Sequence, residues 1–272
     1  MGFTIGILQF SSTGNVRENI GRIEELIRRG YEKADLILLP EYSMMNILGG
    51  MKPEDVYKTA ESIEDSSYLD SLTSIAMKYS VYIVTHFIEK SEEPPKCYSS
   101  SILLTPSGDR KLLYRKIHLF DAYGYRESEY FIPGDRLSEI ITVNDVKIAI
   151  AICFDIRFPE LFRCYALSGV ETVLVHMGWV KGPLKEETLE FLARSRAHEN
   201  TYWIVVADQC GRGYVGRSMV IDPYGVKKTE LGFLEDYTEY YIDKDIVYKA
   251  RETIPVLEKA RKWSIVLKNK TS

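Results

Sequence analysis

The segment Ile148-Ala-Ile-Ala-Ile152 runs directly into Cys153-Phe-Asp-Ile-Arg-Phe-Pro-Glu160. Its first five residues are apolar without alternation, which is typical of a strand that is buried on both faces. The residues that follow predict a polar turn and then a helix that begins at Pro159, because proline is favoured at the first position of a helix. Cys153 stands at the end of this strand, where we expect its thiol to be presented rather than buried.

Two earlier segments have the same design and carry other reactive groups. Leu36-Ile-Leu-Leu-Pro40 is followed by Glu41, and Leu112-Leu-Tyr-Arg115 is followed by Lys116. A free thiol has a pKa near ~8.5 and is mostly protonated at neutral pH, so it needs a nearby base or cation to act as a nucleophile. A carboxylate, an ammonium group and a thiol delivered in this way indicate an amide hydrolase.

Strands alternate with helices along both halves of the chain. A capping-box pattern at Asn15 and Glu18 starts an amphipathic helix that is predicted to end near Gly30. Strands are predicted at 3–10, 36–39, 81–89, 98–104, 111–114, 146–152, 172–176 and 202–207, and further helices at 68–79, 159–167 and 185–199. The similar segments 101–108 and 218–225 indicate two similar halves. This pattern favours an α/β fold with sheets packed face to face and helices outside, in a single domain over residues 1–272.

Composition excludes several classes of partner. The chain has 35 Lys and Arg against 39 Asp and Glu, which gives a net charge of -4 without a basic stripe. Nucleic acid and anionic membrane surfaces are therefore not expected as partners. The apolar stretches are only of strand length, and residues 1–6 lack the layout of a signal peptide, so we expect a cytoplasmic protein.

The cysteines follow neither a disulfide nor a zinc-binding pattern. Cys97, Cys153, Cys164 and Cys210 are scattered, without a CxxC pair and without histidines at ligand spacing. We therefore expect no metal site and no cofactor. Apart from Cys153, these residues are expected to be buried and unreactive.

Five segments, in order along the chain, resemble the signature regions of the nitrilase superfamily of carbon–nitrogen hydrolases. They are Leu38-Leu-Pro-Glu41, Tyr114-Arg-Lys-Ile-His-Leu-Phe120, Tyr125-Arg-Glu-Ser128 with Phe131-Ile-Pro-Gly-Asp135, Cys153-Phe-Asp-Ile-Arg-Phe-Pro-Glu160, and Gly216-Arg-Ser-Met-Val-Ile-Asp-Pro-Tyr-Gly225. The resemblance implies a four-layer α-β-β-α sandwich whose subunits pair through helices, and hence a homodimer or a larger homo-oligomer. The C-terminal tail, about residues 250–272, is apolar and aromatic from Ile254 to Trp263 and is expected to pack at that interface.

The resemblance also implies a Glu-Lys-Cys triad with a second glutamate beside it. By position these residues are Glu41, Lys116, Cys153 and Glu127. Glu41 would take the thiol proton, and Lys116 would hold the oxyanion together with the backbone N–H of Phe154. Glu127 would orient Lys116, and the neighbouring Glu129 competes with it for this role.

The sequence around the nucleophile resembles the omega-amidase type within the superfamily. Asp155 stands two residues after Cys153, where true nitrilases tend to carry glutamate. We therefore expect a thiol amidohydrolase that releases ammonia from a small, carboxylate-bearing amide through a cysteine thioester; an N-carbamoyl amino acid hydrolase and a nitrilase are the alternatives. Arg157 is expected either to bind the substrate carboxylate or to pair with Glu160 or Asp155. Trp179 is expected to line the pocket.

Three other interpretations are weighed against this one. Residues 211–216 match a dinucleotide-binding fingerprint, but a strand rather than a helix is predicted after them, so a hairpin turn is favoured. His118 or His176 would allow a Cys-His mechanism. A catalytically silent binding scaffold is the alternative from another class, and a test for ammonia release separates these possibilities.

Overall fold

The computed structural model describes residues 2–48, 50–211 and 213–263. Within them the chain forms two six-stranded sheets, one two-stranded ribbon and seven α-helices. The strands are β1 (Gly2–Gln9), β2 (Leu36–Leu38), β3 (Tyr82–Lys90), β4 (Cys97–Leu104), β5 (Arg110–Arg115), β6 (Asp121–Ala122), β7 (Tyr125–Arg126), β8 (Ile141–Val143), β9 (Val146–Ile152), β10 (Thr172–Met177), β11 (Trp203–Asp208), β12 (Met219–Ile221), β13 (Lys227–Glu230) and β14 (Asp236–Asp243). The helices are α1 (Val16–Gly30), α2 (Pro53–Thr59), α3 (Ser67–Tyr79), α4 (Pro159–Leu167), α5 (Lys185–Asn200), α6 (Lys244–Thr253) and α7 (Val256–Ala260).

The two sheets have the same internal design. The first has the order β14-β1-β2-β3-β4-β5, and the second has the order β8-β9-β10-β11-β12-β13. In each sheet three parallel strands, β1 to β3 or β9 to β11, occupy the middle. Antiparallel strands flank them on both sides. The predicted similarity of the two halves is therefore confirmed at the level of strand topology.

Apolar side chains fill the space between the sheets and beneath the helices. Ile7 of β1 and Ile150 of β9 belong to one buried cluster, which also contains Phe162 of α4 and Leu189 of α5. A second buried cluster joins the first sheet to α1 and α3. The layers are thus helices, sheet, sheet and helices, which is the predicted α-β-β-α sandwich.

Helix α1 shows how a local sequence pattern sets one of these elements. The side chain of Asn15 accepts hydrogen bonds from the N–H groups of Arg17 and Glu18, and such a cap contributes about 1 kcal/mol. The reciprocal half of the predicted capping box does not form, because the N–H of Asn15 donates to Thr13 Oγ1 at 3.1 Å. The apolar face of the helix, including Ile27, packs in the second buried cluster.

Strand β14 is the longest strand that the sequence did not predict. It pairs antiparallel with β1 along its whole length, from Gly2 opposite Asp243 to Gln9 opposite Asp236. Most of its side chains are half-buried or exposed, so its sequence lacks a clear apolar alternation. It forms here because the edge of β1 would otherwise leave unpaired backbone N–H and C=O groups.

The described part of the C-terminal tail packs against its own chain. Val247 and Ala250 of α6 are buried, and Leu257 of α7 joins the main buried cluster. Trp263, in contrast, is 81% exposed. Residues 264–272 lie outside the described residues, so contact of the tail with another subunit stays a prediction.

Candidate active site

Three chain segments end at one place between the two sheets. Glu41 follows β2 and Lys116 follows β5, both in the first sheet, whereas Cys153 follows β9 in the second. All three side chains line one cavity. The packing of the two sheets therefore brings together groups that are far apart in sequence, as the family resemblance implied.

Lys116 is held between two carboxylates. Its Nζ donates to Glu41 Oε1 and to Glu127 Oε1, each at 2.8 Å, and all three side chains are only 1% exposed. Burial alone would lower the pKa of Lys116, but the charges of Glu127 and Glu41 outweigh it and hold the pKa well above its usual range. Lys116 is therefore a permanent cation, and one of its three N–H donors is left for a substrate.

The structure distinguishes Glu127 from Glu129. Besides Lys116, the Glu127 carboxylate accepts a hydrogen bond from the Tyr42 hydroxyl at 3.0 Å and from the Phe120 N–H at 2.5 Å. The Glu129 side chain is 57% exposed and lies 4.0 Å from an exposed arginine. A short 3₁₀ turn points the Glu127 carboxylate into the protein and leaves the Glu129 carboxylate at the surface.

Cys153 lines the cavity but is more enclosed than expected. It begins a 3₁₀ turn with φ +44°, a left-handed conformation that is uncommon for a residue with a side chain and that occurs at functional sites. The residue is 8% exposed, so the expectation that its thiol is presented rather than buried is wrong with respect to bulk solvent. Its Sγ lies 3.9 Å from the carbonyl oxygen of Gly178.

The protonation states of the thiol and its base follow from this enclosure. Burial, and next the charge of Glu41, raise the pKa of Cys153 well above its usual value, although Lys116 opposes them. Burial and the charge of Glu127 raise the pKa of Glu41 to about 7, against the effect of Lys116. The thiol is therefore protonated at neutral pH, and Glu41 can both release and take up a proton there.

Asp155 connects the 3₁₀ turn that begins at Cys153 to strand β5, which is followed by Lys116. Its Oδ2 accepts from the Ile152 N–H at 3.0 Å and from the Tyr114 hydroxyl at 2.9 Å. Its Oδ1 accepts from the backbone N–H of His118 at 3.2 Å and from His118 Nδ1 at 2.7 Å. These bonds fix the position of Cys153 relative to Lys116, which lies two residues after Tyr114 along the chain.

The cavity has a volume of about 870 Å³, and its lining includes six aromatic side chains. Arg157 lies in this wall with its guanidinium 4.8 Å from the centre of the Trp179 ring, and its Nε is buried without a hydrogen-bond partner. Among the described residues Arg157 forms no ion pair, so pairing with Glu160 or Asp155 is not seen. The ring of Phe154 packs edge-on against Phe120 at 5.1 Å and does not line the cavity.

The profile of the carbon-nitrogen hydrolase family matches residues 4–251 of this chain. The chain belongs to the carbon–nitrogen hydrolase family. Glu41, Lys116, Cys153 and all five signature segments lie within the matched range, with the last segment ending at Gly225.

Known amidases are similar to this carbon–nitrogen hydrolase over most of its length. The omega-amidase of Xenopus tropicalis is 30% identical over 270 residues, which cover 95% of each protein. The deaminated glutathione amidase of Yersinia enterocolitica is 31% identical over 237 residues, or 81% of this chain and 80% of that protein. The amidase of Nesterenkonia sp. AN1, solved with butyramide, has a TM-score of 0.79 and 22% identity, with 97% of both chains covered. Another structure of that amidase, with a TM-score of 0.78, shows covalent addition of the acetamide moiety of fluoroacetamide at its active-site cysteine.

The two histidines that suggested a Cys-His mechanism are engaged elsewhere. His118 is bonded to Asp155 and stacks on Phe158 with 3.7 Å between ring centres. His176 lies within 2.6 Å of the Leu39 carbonyl oxygen through Nδ1 and within 2.8 Å of the Ser101 hydroxyl through Nε2. Because a carbonyl only accepts, Nδ1 carries the proton, and burial lowers the pKa of His176 to about 4. His176 therefore links the two sheets as a neutral side chain.

Other sequence interpretations have mixed outcomes. The chain after residues 211–216 leads into β12 and not into a helix, so the dinucleotide-binding interpretation fails. Cys97 and Cys210 are buried as expected, but the expectation for Cys164 is wrong, because it lies on the exposed face of α4.

In the described part of the chain, no group of three or more His, Cys, Asp and Glu side chains is arranged to hold a metal ion. None of the helices found there has the length and apolar character needed to span a bilayer.

Sequence reasoning missed two residues beside the triad. Tyr42 has φ +58°, and its hydroxyl donates to Glu127 Oε1, the oxygen that also accepts from Lys116. A Cβ built on Gly178 would lie 2.8 Å from Glu41 Oε2, so only glycine fits there without a shift of the base. Gly178 follows β10, and the need for a glycine there depends on how closely the residue approaches Glu41 after β2.

Proposed function

We propose that this carbon–nitrogen hydrolase is an amidase that releases ammonia from a small, carboxylate-bearing amide through a thioester on Cys153. The observation that supports it most directly is Lys116, held at 2.8 Å from both Glu41 and Glu127 in the cavity that Cys153 also lines. A base, a fixed cation and a thiol in one enclosed cavity are the groups that acyl transfer from an amide requires.

In the first half of the reaction, Glu41 takes the proton of the Cys153 thiol as the sulfur attacks the amide carbon. The free N–H donor of Lys116 and the backbone N–H of Phe154 stabilise the oxyanion. The carbon–nitrogen bond then breaks, and protonated Glu41 gives its proton to the nitrogen, which leaves as ammonia. A pKa of about 7 allows Glu41 to act as base and then as acid.

In the second half, water enters the space that ammonia has left. Glu41 takes a proton from this water, whose oxygen attacks the thioester carbon. The carbon–sulfur bond breaks, the carboxylic acid product leaves, and the thiol is protonated again. Glu127 does not transfer a proton in this scheme; it keeps Lys116 charged and in place.

The preference for a carboxylate rests on Arg157. Its guanidinium faces the cavity four residues after the nucleophile and forms no ion pair within the described residues. A guanidinium can hold a carboxylate through two parallel hydrogen bonds, which would fix the far end of an ω-amide while its amide end lies at Cys153. The omega-amidase relative is consistent with such a substrate.

We also propose a cytoplasmic homodimer, or a larger assembly of dimers, of a single-domain chain. Leu184 and Phe191 of the α5 region are 70% and 67% exposed, and apolar side chains at this level of exposure are suited to a subunit contact. A monomeric mass by light scattering at micromolar concentration would contradict this proposal.

A panel of amides tests the proposed reaction. Ammonia release is measured with succinamate, butyramide, an N-carbamoyl amino acid and an aliphatic nitrile, with the Cys153→Ala protein as the matched control. The expected result is release from the amides, fastest with succinamate and absent in the control. Preferred turnover of the carbamoyl compound or the nitrile would assign the alternative reactions, and no release from any compound would refute a hydrolase.

A further inference from the structure

The active-site cavity has an excess of positive charge in a chain whose net charge is -4. The charged side chains that line it are Lys116, Arg157, Lys181, Lys185, Glu41 and Glu127. Both carboxylates are already bonded to Lys116. No carboxylate of the described residues forms an ion pair with the other three cations. The cavity is therefore charged to attract an anion.

Lys185 occupies a defined place in this cavity. It is the first residue of α5, and its Nζ lies 4.2 Å from the centre of the Tyr123 ring, 5.1 Å from that of Trp179 and 5.9 Å from that of Phe120. The aromatic faces attract the ammonium group but do not neutralise it. Its charge remains available to a ligand.

Trp179 connects Lys185 with Arg157. The indole Nε1 donates to the Lys185 carbonyl oxygen at 2.8 Å, and the Trp179 N–H donates to Asp208 Oδ1 at 2.8 Å. The ring is thus fixed, and the two cationic groups lie 5.1 Å and 4.8 Å from its centre. Two cations that form no ion pair among the described residues therefore lie beside one fixed ring in the cavity wall, and guanidinium and ammonium groups are the side chains that bind carboxylates.

We propose that Lys185 and Arg157 together bind the substrate carboxylate beside Trp179, and that Lys185 sets the preference for anionic over neutral amides. This inference rests on the proposed amidase function and adds a specificity-determining residue to it. Arg157 supplies the planar fork for two hydrogen bonds, and Lys185 supplies a mobile point charge. The competing explanation is that Lys185 only packs against the aromatic rings at the cavity mouth.

Two substitutions separate these roles. Lys185→Met keeps the apolar stem and removes the charge, whereas Lys185→Arg keeps the charge. The matched control is Lys228→Met, which removes the same charge from an exposed position of β13 that does not line the cavity. For each protein, kcat/KM for ammonia release is measured with succinamate and with butyramide, which differ in the terminal carboxylate.

The expected result is that Lys185→Met lowers the ratio of kcat/KM for succinamate to that for butyramide by about tenfold to hundredfold, mainly through KM. Lys185→Arg restores most of the ratio, and Lys228→Met leaves it unchanged. Added salt raises the wild-type KM for succinamate, and this sensitivity becomes weaker in Lys185→Met. Equal losses on both substrates, or an unchanged ratio, would overturn the proposal and leave Lys185 a packing residue.

A binding measurement separates failure of this inference from failure of the amidase proposal. Calorimetry with succinate and the Cys153→Ala protein reports carboxylate binding without turnover. Weaker succinate binding when Lys185→Met is added supports the anion site even if no amide is hydrolysed. Unchanged succinate binding refutes the anion site even if wild-type protein hydrolyses succinamate.

Discussion

Replacing Glu127 by glutamine tests how the second carboxylate controls the catalytic base. The substitution keeps the size of the side chain and one carbonyl oxygen, but it removes a negative charge from a fully buried position. Glu127 raises the pKa of Glu41, and it also raises the pKa of Lys116. Without that charge, the ionised form of Glu41 is easier to form, so its pKa must fall.

The size of this effect follows from the geometry around Lys116. The two carboxylate oxygens that accept its hydrogen bonds each lie 2.8 Å from Nζ, so they are at most about 5.6 Å apart. At an effective dielectric constant of ~20, two unit charges at this separation repel by roughly 3 kcal/mol. Since one pKa unit corresponds to about 1.4 kcal/mol, the substitution should lower the pKa of Glu41 by about two units.

The assay is the pH dependence of kcat/KM for ammonia release, which reports the ionisations of the free enzyme. In the wild type we expect activity to rise through pH about 7, as Glu41 loses its proton. In Glu127→Gln the midpoint of this rise moves to lower pH. The plateau falls on the order of 10²–10³-fold, because Lys116 loses a partner that positions it at the oxyanion.

Glu129→Gln is the matched control, since it makes the same chemical change two residues away on an exposed side chain. It should leave both the midpoint and the plateau unchanged, and thermal unfolding of both variants checks that the fold is retained. A midpoint that stays in place or moves to higher pH in Glu127→Gln would refute the electrostatic reasoning. A larger loss in Glu129→Gln would assign the supporting role to that residue.

Three further substitutions test other parts of the site. Cys153→Ala should abolish turnover and leave the fold intact, because alanine fills nearly the same volume; ammonia release at the wild-type rate would contradict the thioester mechanism. Arg157→Lys should raise KM for succinamate about tenfold and by less for butyramide, since lysine keeps the charge but loses the fork; equal effects on both would make Arg157 a structural residue. Gly178→Ala should lower kcat about 100-fold by displacing Glu41, whose Oε2 lies 2.8 Å from the added Cβ; wild-type kinetics would show that the base has room to move.

The sequence predicted most of the central strands and the residues that follow them. Apolar runs such as residues 148–152 must be buried, and the first polar residue after such a run must lie at the edge of a sheet. This local rule marked the segments that lead to Glu41, Lys116 and Cys153, and the resemblance to the nitrilase superfamily assigned these residues as the triad. The rule about apolar runs did not find β14, because its side chains are mixed in polarity. This strand lies at the edge of its sheet and is stabilised by backbone pairing with β1.

The sequence by itself therefore determined the reactive groups and the layers of the sandwich, because both depend on local apolar patterns and on turn residues. Only the tertiary structure decided which of Glu127 and Glu129 turns inward, how deeply the thiol is enclosed, and why position 178 has no side chain. The position of the Lys185 ammonium group near the Trp179 ring was likewise decided only by the tertiary structure. These features depend on distances of a few ångströms between segments from different sheets and helices, and such distances are set by packing across the whole molecule rather than by any single stretch of chain.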